Sequence, residues 1–373
     1  MRGYIHQGII KENGVVDPKR TITDASELEV LPSDDRFHLK TYQIGHFEWL
    51  YFDVIDLKTG CVLKIVVHLG TDPLRRKIFP QVAISIRTPN KRDSIIKSYS
   101  LSDLRASSDF CDVNIKDELH VSIESPAKGR IYHLKININS FKAAITFIGQ
   151  IDGWKPFGDE IRLKQRRKTA AFGWVIPVPK AEVVGEFYFE NKKYNLEEAL
   201  GYHDHNFWEV GPDKKLYMDE IVSQWYWGRF LSRDHAVIFM DTYLRKKSIR
   251  SLMIARGNKI IHSSNNLIEV SVDEFQKDDH LKASYPSRIT VKSLSESIPF
   301  KMTLESKELI DVRDLLDGVP SVLSWFIKLL VFKPTYYGFL ADTRIQVDHE
   351  KIRGFSLYEV MSFRTHRVEP GGP

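Results

Sequence analysis

The feature that most constrains the fold is a recurrence of short apolar runs separated by turn residues. From His38 onward these runs follow one another at intervals of roughly 10 to 15 residues, a spacing typical of antiparallel barrels and sandwiches. In the clearest example, residues 43–55 and 61–69 flank Leu57-Lys58-Thr59-Gly60, where Gly60 supplies the positive φ of a tight turn. Helical periodicity is absent before residue 150. The pattern predicts an all-β chain built from antiparallel β-barrels.

The length of 373 residues predicts two domains, because single hydrophobic cores stop growing near roughly 250 residues. A polar, basic stretch at 152–168 is the expected connection. We therefore expect two barrels in tandem, which share a strand rhythm but no sequence repeat. The expected boundaries are an N-terminal extension at 1–37, a first barrel at 38–165, a second barrel at 166–365 and a tail at 366–373.

Composition excludes several classes of protein. The net charge of +5 arises from 54 basic and 49 acidic residues spread along the chain, which gives no support for nucleic-acid binding. Two isolated cysteines, Cys61 and Cys111, are too few for a disulfide framework, so we expect them to be buried, reduced and structural. The first 13 residues contain no apolar run of signal-peptide length, which favours a cytoplasmic protein.

One segment in the C-terminal half predicts a short apolar helix. It begins at Pro320, ends at Phe332 and is shorter than the roughly 20 residues needed to span a bilayer. The first hypothesis is a helix buried against a barrel. The second is a lid that lies in a membrane interface, where Trp325 would suit the headgroup level and give a peripheral membrane contact.

The densest group of unusual residues is Gly201-Tyr202-His203-Asp204-His205-Asn206-Phe207-Trp208. Four consecutive side chains that exchange protons or hydrogen bonds are costly to bury without partners, so a pocket lining explains them simply. About 20 residues later, strand alternation would put Trp225, Trp227 and Arg229 on one face and Tyr226 on the other. The alternative for this second segment is an ordinary aromatic core with an arginine at its rim.

Two carboxyl groups stand in apolar strands. Asp241 lies in the run 236–244, where it is either paired with a cation such as Arg229 or desolvated and protonated. Glu48 alternates with large apolar residues, so it either faces a barrel interior or pairs with an arginine at a barrel end. Near the C-terminus, Glu359 follows Tyr358 in a predicted closing strand and is expected to be structural.

These segments resemble the carotenoid hydratase (hydroxyneurosporene synthase) and AttH-like family. Glu48-Trp49-x-Tyr51-Phe52 resembles the family's Glu-Trp-Trp-Tyr-Phe stretch, with Leu50 in place of the second tryptophan. The segment 201–208 is similar to its Gly-Tyr-x-Asp-His-Asn-Trp run, interrupted by Phe207, and 225–229 is similar to its Trp-x-Trp-Gly-Arg. The resemblance spans residues 38–363 and implies two lipocalin-like barrels that hold a hydrophobic polyene within or between them, for hydration or cyclisation.

Hydrating an alkene requires an acid that stays protonated, groups that stabilise a carbocation and a positioned water. The residues described above supply all three. We therefore expect an acid-type hydratase, cyclase or isomerase that acts on an isoprenoid or polyene without a cofactor. The candidate catalytic residues are Asp204 and Asp241 as acids, with His203 and His205 as proton relays. The candidate substrate-binding residues are Glu48, Tyr51, Asn206, Trp225, Tyr226, Trp227 and Arg229.

Three alternatives stay open. Related two-barrel proteins include pericyclases, which fold a polyene without acid chemistry, and a lipid or isoprenoid carrier would need only the aromatic lining. His203 and His205 at positions i and i+2 of a strand could also hold a metal, with His68 or His235 as a third ligand, although we expect none. Alternation further implies that Asp204 points away from two inward histidines unless a bulge intervenes.

Overall fold

The computed structural model describes residues 29–37, 43–72, 77–124, 130–245, 247–281, 283–314 and 334–363. Regular structure in this part of the chain is almost entirely antiparallel β-sheet. The short α-helix Met218–Ile221 and the 3-10 helices Pro32–Asp35 and Leu101–Asp103 are the exceptions. The predicted all-β, lipocalin-like fold is confirmed. The apolar segment 320–332 lies outside the described residues, among which no helix could cross a bilayer.

The first sheet has twelve strands in the order β4-β3-β2-β1-β12-β11-β9-β8-β7-β6-β5, and β10 pairs with β11. Its first and last strands, β1 and β12, are neighbours in the middle of the sheet. The strands are Phe47–Asp56 (β1), Val62–Asp72 (β2), Lys77–Arg87 (β3), Arg92–Ser98 (β4), Leu104–Ala106 (β5), Asp112–Ile115 (β6), Leu119–Ile123 (β7), Ile131–Ile138 (β8), Phe141–Gly149 (β9), Ile161–Gln165 (β10), Lys168–Phe189 (β11) and Lys192–Val210 (β12).

The second sheet has nine strands in the order β16-β15-β14-β13-β21-β20-β19-β18-β17. It repeats the plan of the first sheet, because its first and last strands, β13 and β21, are again adjacent. The strands are Val222–Leu231 (β13), His235–Leu244 (β14), Ser248–Arg256 (β15), Lys259–Asn265 (β16), Ile268–Asp278 (β17), Ala283–Ser293 (β18), Phe300–Asp314 (β19), Thr335–Val347 (β20) and Glu350–Ser362 (β21).

The chain divides into two compact units near residue 217, and the boundary expected at 165/166 falls inside the first sheet. The first unit contains Met1–Tyr217 with the short pieces Leu231–Ala236 and Ile254–Ser263. Arg166 and Arg167 form the turn of the β10–β11 hairpin. The C-terminal part of the basic stretch 152–168, which was expected to connect two domains, therefore belongs to a pair of strands. Charged residues at a hairpin tip and in a linker look alike in sequence, because both are solvated.

The core of the first unit follows strand alternation. In β8 the buried side chains are Tyr132, Leu134, Ile136 and Ile138, whereas Lys135 between them is exposed. Cys61 and Cys111 are both buried and free, as expected. The turn before β2 is also as predicted, with Gly60 at φ +70°. This alternation gives the first sheet one continuous apolar face, which we call the core face.

Candidate functional site

Strand β12 carries polar residues on both of its faces. It pairs with β1 in unbroken register around the motif, so that Phe52 lies opposite His203 and Leu50 opposite His205. Because side chains alternate, His203 and His205 project to the core face while Asp204 and Asn206 project to the opposite face. A proton relay from Asp204 to the histidines would need a bulge in β12, and the strand is regular against β1.

Six side chains on the core face form what we call the inner cluster: Asp35, Glu48, Cys111, Tyr132, His203 and His205. Each is buried to the point of having almost no exposed surface. Nε2 of His205 lies 2.7 Å from Oε1 of Glu48, and its Nδ1 lies 3.2 Å from Oδ1 of Asp35. Oδ2 of Asp35 lies 3.1 Å from Nε2 of His203 and accepts a 2.8 Å hydrogen bond from the Tyr132 hydroxyl.

The inner cluster balances two buried carboxylates against imidazole groups. Burial alone would raise the pKa of Asp35, but its contacts with His203 and His205 outweigh burial and hold that pKa well below its usual range. Burial opposes the imidazolium form of His205, yet its hydrogen bonds to Asp35 and Glu48 raise its pKa to about 9. Glu48 thus faces the interior, as one hypothesis predicted, and its partner is a histidine rather than an arginine.

On the opposite face of β12, Asp204 is the centre of a second group that we call the Asp204 cluster. Its Oδ2 accepts hydrogen bonds from Nε1 of Trp174 at 2.9 Å and from the Tyr202 hydroxyl at 2.7 Å. Its Oδ1 accepts a 2.9 Å hydrogen bond from Nδ2 of Asn206. The Tyr51 ring lies edge-on to Tyr202 with a centroid separation of 6.1 Å. These three donors fix the position of the buried Asp204 carboxyl.

The second unit contains its own buried carboxyl, Asp241 on β14. It forms a 3.1 Å ion pair with Nε of Arg250 rather than with Arg229. Burial raises the pKa of Asp241 to about 6, against the opposing effect of the Arg250 charge. Both hypotheses for this residue therefore hold in part, because the carboxyl is paired and also desolvated.

The Asp241 cluster includes two tyrosines and a glutamine. Burial raises the pKa of Tyr226, and the neighbouring Tyr243 and Asp241 raise it further. The rings of Tyr226 and Tyr243 meet edge to face with centroids 6.0 Å apart. Nε2 of Gln224 donates a 2.6 Å hydrogen bond to the Tyr226 hydroxyl. This group combines a carboxyl of raised pKa with electron-rich ring faces in one buried place.

The two tryptophans of the same motif do not join the Asp241 cluster. Strand β13 pairs with β21 without a register shift, so alternation places Trp225, Trp227 and Arg229 on the face opposite Tyr226. Arg229 has no exposed surface. A single cation-stabilising site built from all three aromatic residues is therefore excluded. Glu359, opposite Trp227 in the register, accepts a hydrogen bond from Tyr336, as a structural residue would.

Three members of the inner cluster were not singled out as functional by the sequence. Asp35 lies in the 3-10 helix Pro32–Asp35, inside the segment expected to be a simple extension. Cys111 immediately precedes β6, and Tyr132 lies on β8. No local pattern marks these residues, because Asp35 lies 97 residues from Tyr132 and 168 residues from His203 in the chain and only the folded sheet brings them together. The hint in the sequence was the pair His203 and His205, which needed buried partners.

Comparison with known proteins supports the fold at low sequence similarity. No protein-family model matches the chain. A stretch of 77 residues is 38% identical to hydroxyneurosporene dehydrogenase from Chlorobaculum tepidum, and this match covers 19% of the chain and 19% of that protein. The similarity therefore spans about a fifth of the curated relative's length.

Solved structures match nearly the whole chain. A protein assigned as AttH from Nitrosomonas europaea matches with a TM-score of 0.62 at 12% identity, over 94% of this chain and 99% of its own. Kievitone hydratase from Nectria haematococca matches at 0.57 and 12% identity, over 90% and 98%. CghA in complex with Sch210972 matches at 0.57 and 9% identity, over 87% and 90%. At these identities the likeness establishes a common fold, because one fold carries many functions.

Proposed function

We propose that this chain is an acid-type hydratase, cyclase or isomerase that protonates a carbon–carbon double bond of a hydrophobic isoprenoid or polyene. The observation that carries the proposal is the buried carboxyl of Asp241, whose pKa is raised to about 6 among tyrosine rings. General acids work best when their pKa lies near the working pH. A carboxyl of this kind retains protons close to neutrality, as an ordinary surface aspartate does not.

In the proposed reaction, the Asp241 carboxyl transfers its proton to one alkene carbon, and a new C–H bond forms. The electron pair of the double bond makes that bond and leaves a carbocation on the neighbouring carbon. Water adds to the cation through oxygen, and the oxonium ion returns a proton to the Asp241 carboxylate. Loss of a proton from carbon instead of capture of water would give an isomer. If the electron pair of a second double bond in the substrate first attacks the cation and forms a C–C bond, loss of a proton from the new cation would give a cyclised product.

The tyrosines of the Asp241 cluster are suited to stabilise the cation. A ring face attracts a positive charge by roughly 0.5 to 2 kcal/mol per contact, and more when water is excluded. Tyr226 is held by Gln224, and Tyr243 meets it edge-on, so both rings are fixed before any charge develops. Preorganised groups of this kind cost little reorganisation during reaction. We propose Asp241 as the acid and these two rings as its cation-stabilising partners.

Asp204 has a different proposed role. Its three hydrogen-bond donors favour the carboxylate, so we propose that it acts as a fixed negative charge, with Asn206 positioning a polar group beside it. His203 and His205 are proposed to support β12 from the core face. This division follows the general pattern in which two carboxyl groups with different surroundings serve different purposes.

The similar proteins support this class of reaction. Kievitone hydratase is named for the addition of water, which agrees with the chemistry that we propose from Asp241. The curated relative is named as a dehydrogenase of hydroxyneurosporene, so its name does not bear on acid catalysis. The substrate of this chain is proposed only as a hydrophobic alkene, without assignment to either compound.

The test is turnover of a panel of acyclic isoprenoid alkenes and polyenes by the purified chain, followed by liquid chromatography and mass spectrometry. We expect a product that gains the mass of water or an isomer of the substrate. Asp241→Asn should reduce turnover by a factor of about 100 or more, the usual scale of general acid catalysis. The matched control is Asp342→Asn, which removes an exposed β20 carboxylate paired with Lys307 and should retain full activity.

Other outcomes would separate the alternatives. An isomerisation that continues at nearly full rate in Asp241→Asn would indicate a pericyclase, because such a reaction needs no acid. Tight binding of the alkenes without turnover in any variant would indicate a carrier. Either result contradicts the assignment of Asp241 as an acid.

A further inference from the structure

We infer that the inner cluster is a binding site for a transition-metal ion, and that Zn²⁺ is the ion best matched by its ligand types. A carboxylate oxygen of Asp35, Sγ of Cys111 and a ring nitrogen of His203 lie within 4.8 Å of one another. All three side chains are buried. This site is separate from the Asp241 cluster, and the inference does not depend on the proposed reaction.

The orientation of His203 is that of a metal ligand. Its Nδ1 lies 2.9 Å from the carbonyl oxygen of Tyr51, and a carbonyl can only accept, so Nδ1 carries the proton. In the neutral ring, Nε2 then presents a lone pair to Oδ2 of Asp35 at 3.1 Å. Two acceptors at this distance repel each other unless a cation lies with them. Histidine ligands typically donate their outer N–H to a carbonyl or a carboxylate in this way.

His205 repeats the arrangement on the other oxygen of Asp35. Its Nε2 lies 2.7 Å from Oε1 of Glu48, and its Nδ1 lies 3.2 Å from Oδ1 of Asp35. A carboxylate behind a histidine orients the ring and increases its basicity as a ligand. Nδ1 of His205 contacts Asp35, one of the three ligands, so His205 and Glu48 are positioning residues that orient this carboxylate.

The ligand types select among metal ions. Cysteine, histidine and aspartate are ligand types that suit Zn²⁺, whereas Mg²⁺ and Ca²⁺ require oxygen ligands. Binding replaces the proton of the Cys111 thiol with the metal ion, and the proton leaves to solvent. The ion would join the 3-10 helix that ends at Asp35 to Cys111 and to β12, in addition to the direct contacts of Asp35 with Tyr132 and His203.

In the alternative, the inner cluster binds protons instead of a metal ion, and His203 and His205 are imidazolium groups. The experiment that separates the two uses the full chain, without a polyhistidine tag, expressed in minimal medium that contains Zn²⁺ or Co²⁺. The metal content of the purified protein is measured by inductively coupled plasma mass spectrometry. We expect one ion per chain, with a thiolate-to-cobalt charge-transfer band in the near ultraviolet and tetrahedral d–d bands in the visible spectrum.

Two cysteine variants provide a matched comparison. Cys111→Ser should abolish the charge-transfer band, whereas Cys61→Ser, which alters the other buried free cysteine, should leave the band unchanged. Circular dichroism of both variants checks that the sheets are formed. The wild-type measurement needs no variant, so the test remains decisive if Cys111→Ser fails to fold.

Wild-type protein that holds no stoichiometric metal and shows no charge-transfer band with Co²⁺ would overturn the inference, as would a band that persists in folded Cys111→Ser. Activity is not the readout, so failure here leaves the proposed function untouched. Conversely, Asp241→Asn should lose turnover and keep its metal.

Discussion

At the scale of single residues, the sharpest prediction concerns Asp241, because its pKa is raised into the pH range in which activity can be measured. Its acid form is the active form in our proposal, and burial raises its pKa to about 6. The rate should therefore be constant below pH 6 and fall roughly tenfold per pH unit above it. The measurement is kcat against pH between about 4 and 8, two units either side of that pKa. A rate that rises through pH 6 would show that the carboxylate is the active form.

Asp204 provides a second prediction at this scale. Replacing Asp204 with Asn turns one acceptor oxygen into a donor, which must then face Trp174, Tyr202 or Asn206. A buried group left without its partner costs about 1–3 kcal/mol. Urea denaturation should show this loss in Asp204→Asn and almost none in Asp342→Asn. An Asp204→Asn protein as stable as wild type would mean that the three hydrogen bonds contribute little.

The sequence allowed some of these residues to be predicted and not others. Alternation correctly separated His203 and His205 from Asp204, whereas an interior position for Glu48 was one of two alternatives that the sequence left open. The partner of Asp241 could not be predicted, because Arg229 and Arg250 lie at similar separations in the sequence. Asp35 could not be predicted at all, since its role depends on contacts with strands far along the chain.

At the scale of strands, Gly201 explains how β12 fits against its neighbours. A Cβ atom at this position would lie 2.5 Å from Cε1 of Phe147 and 2.5 Å from Cγ2 of Val183. Gly201→Ala should therefore destabilise the first unit by about 1–3 kcal/mol, the usual cost of overpacking. Adding Val183→Ala removes one of the two clashes and should recover part of the loss in a double-mutant cycle. Equal stability of Gly201→Ala and wild type would contradict this packing.

The strands themselves were largely predictable, and the exceptions have a physical cause. The β1–β2 hairpin followed from two apolar runs around Gly60, and the closing strand β21 followed from the run around Glu359. Strand β11 contains Pro177 and Pro179, which have no backbone N–H to donate to a neighbouring strand. The structure keeps it continuous by shifting register against β12 on either side of Val178, and such bulges accommodate residues that cannot donate hydrogen bonds.

At the scale of the whole molecule, two antiparallel units were predictable from length and strand rhythm, but the boundary between them was not. Strands β11 and β12 return to the centre of the first sheet, where β12 pairs with β1 and β11 with β9. The pairing of β12 with β1 joins residues about 150 positions apart, and the spacing of apolar runs carries no information about it.

This topology predicts how fragments behave. A fragment that ends at residue 165 lacks β11 and β12, so β1 and β9 lose a partner on one side and expose unpaired edges that favour aggregation. A fragment that ends at residue 217 keeps all twelve strands. Cooperative thermal unfolding, followed by circular dichroism, is expected for the longer fragment and not for the shorter one. A shorter fragment that is soluble and unfolds cooperatively would contradict the sheet order.

The most direct test of the account follows the atoms of the proposed reaction with isotopes. When the chain hydrates an alkene substrate in H₂¹⁸O, each product molecule should contain one solvent oxygen. When the same reaction runs in D₂O, each product molecule should contain one deuterium bound to carbon. Both labels are expected from wild type and from Asp342→Asn, and neither from Asp241→Asn. A product that carries no carbon-bound deuterium would show that no proton is transferred to the alkene, which contradicts the proposed function.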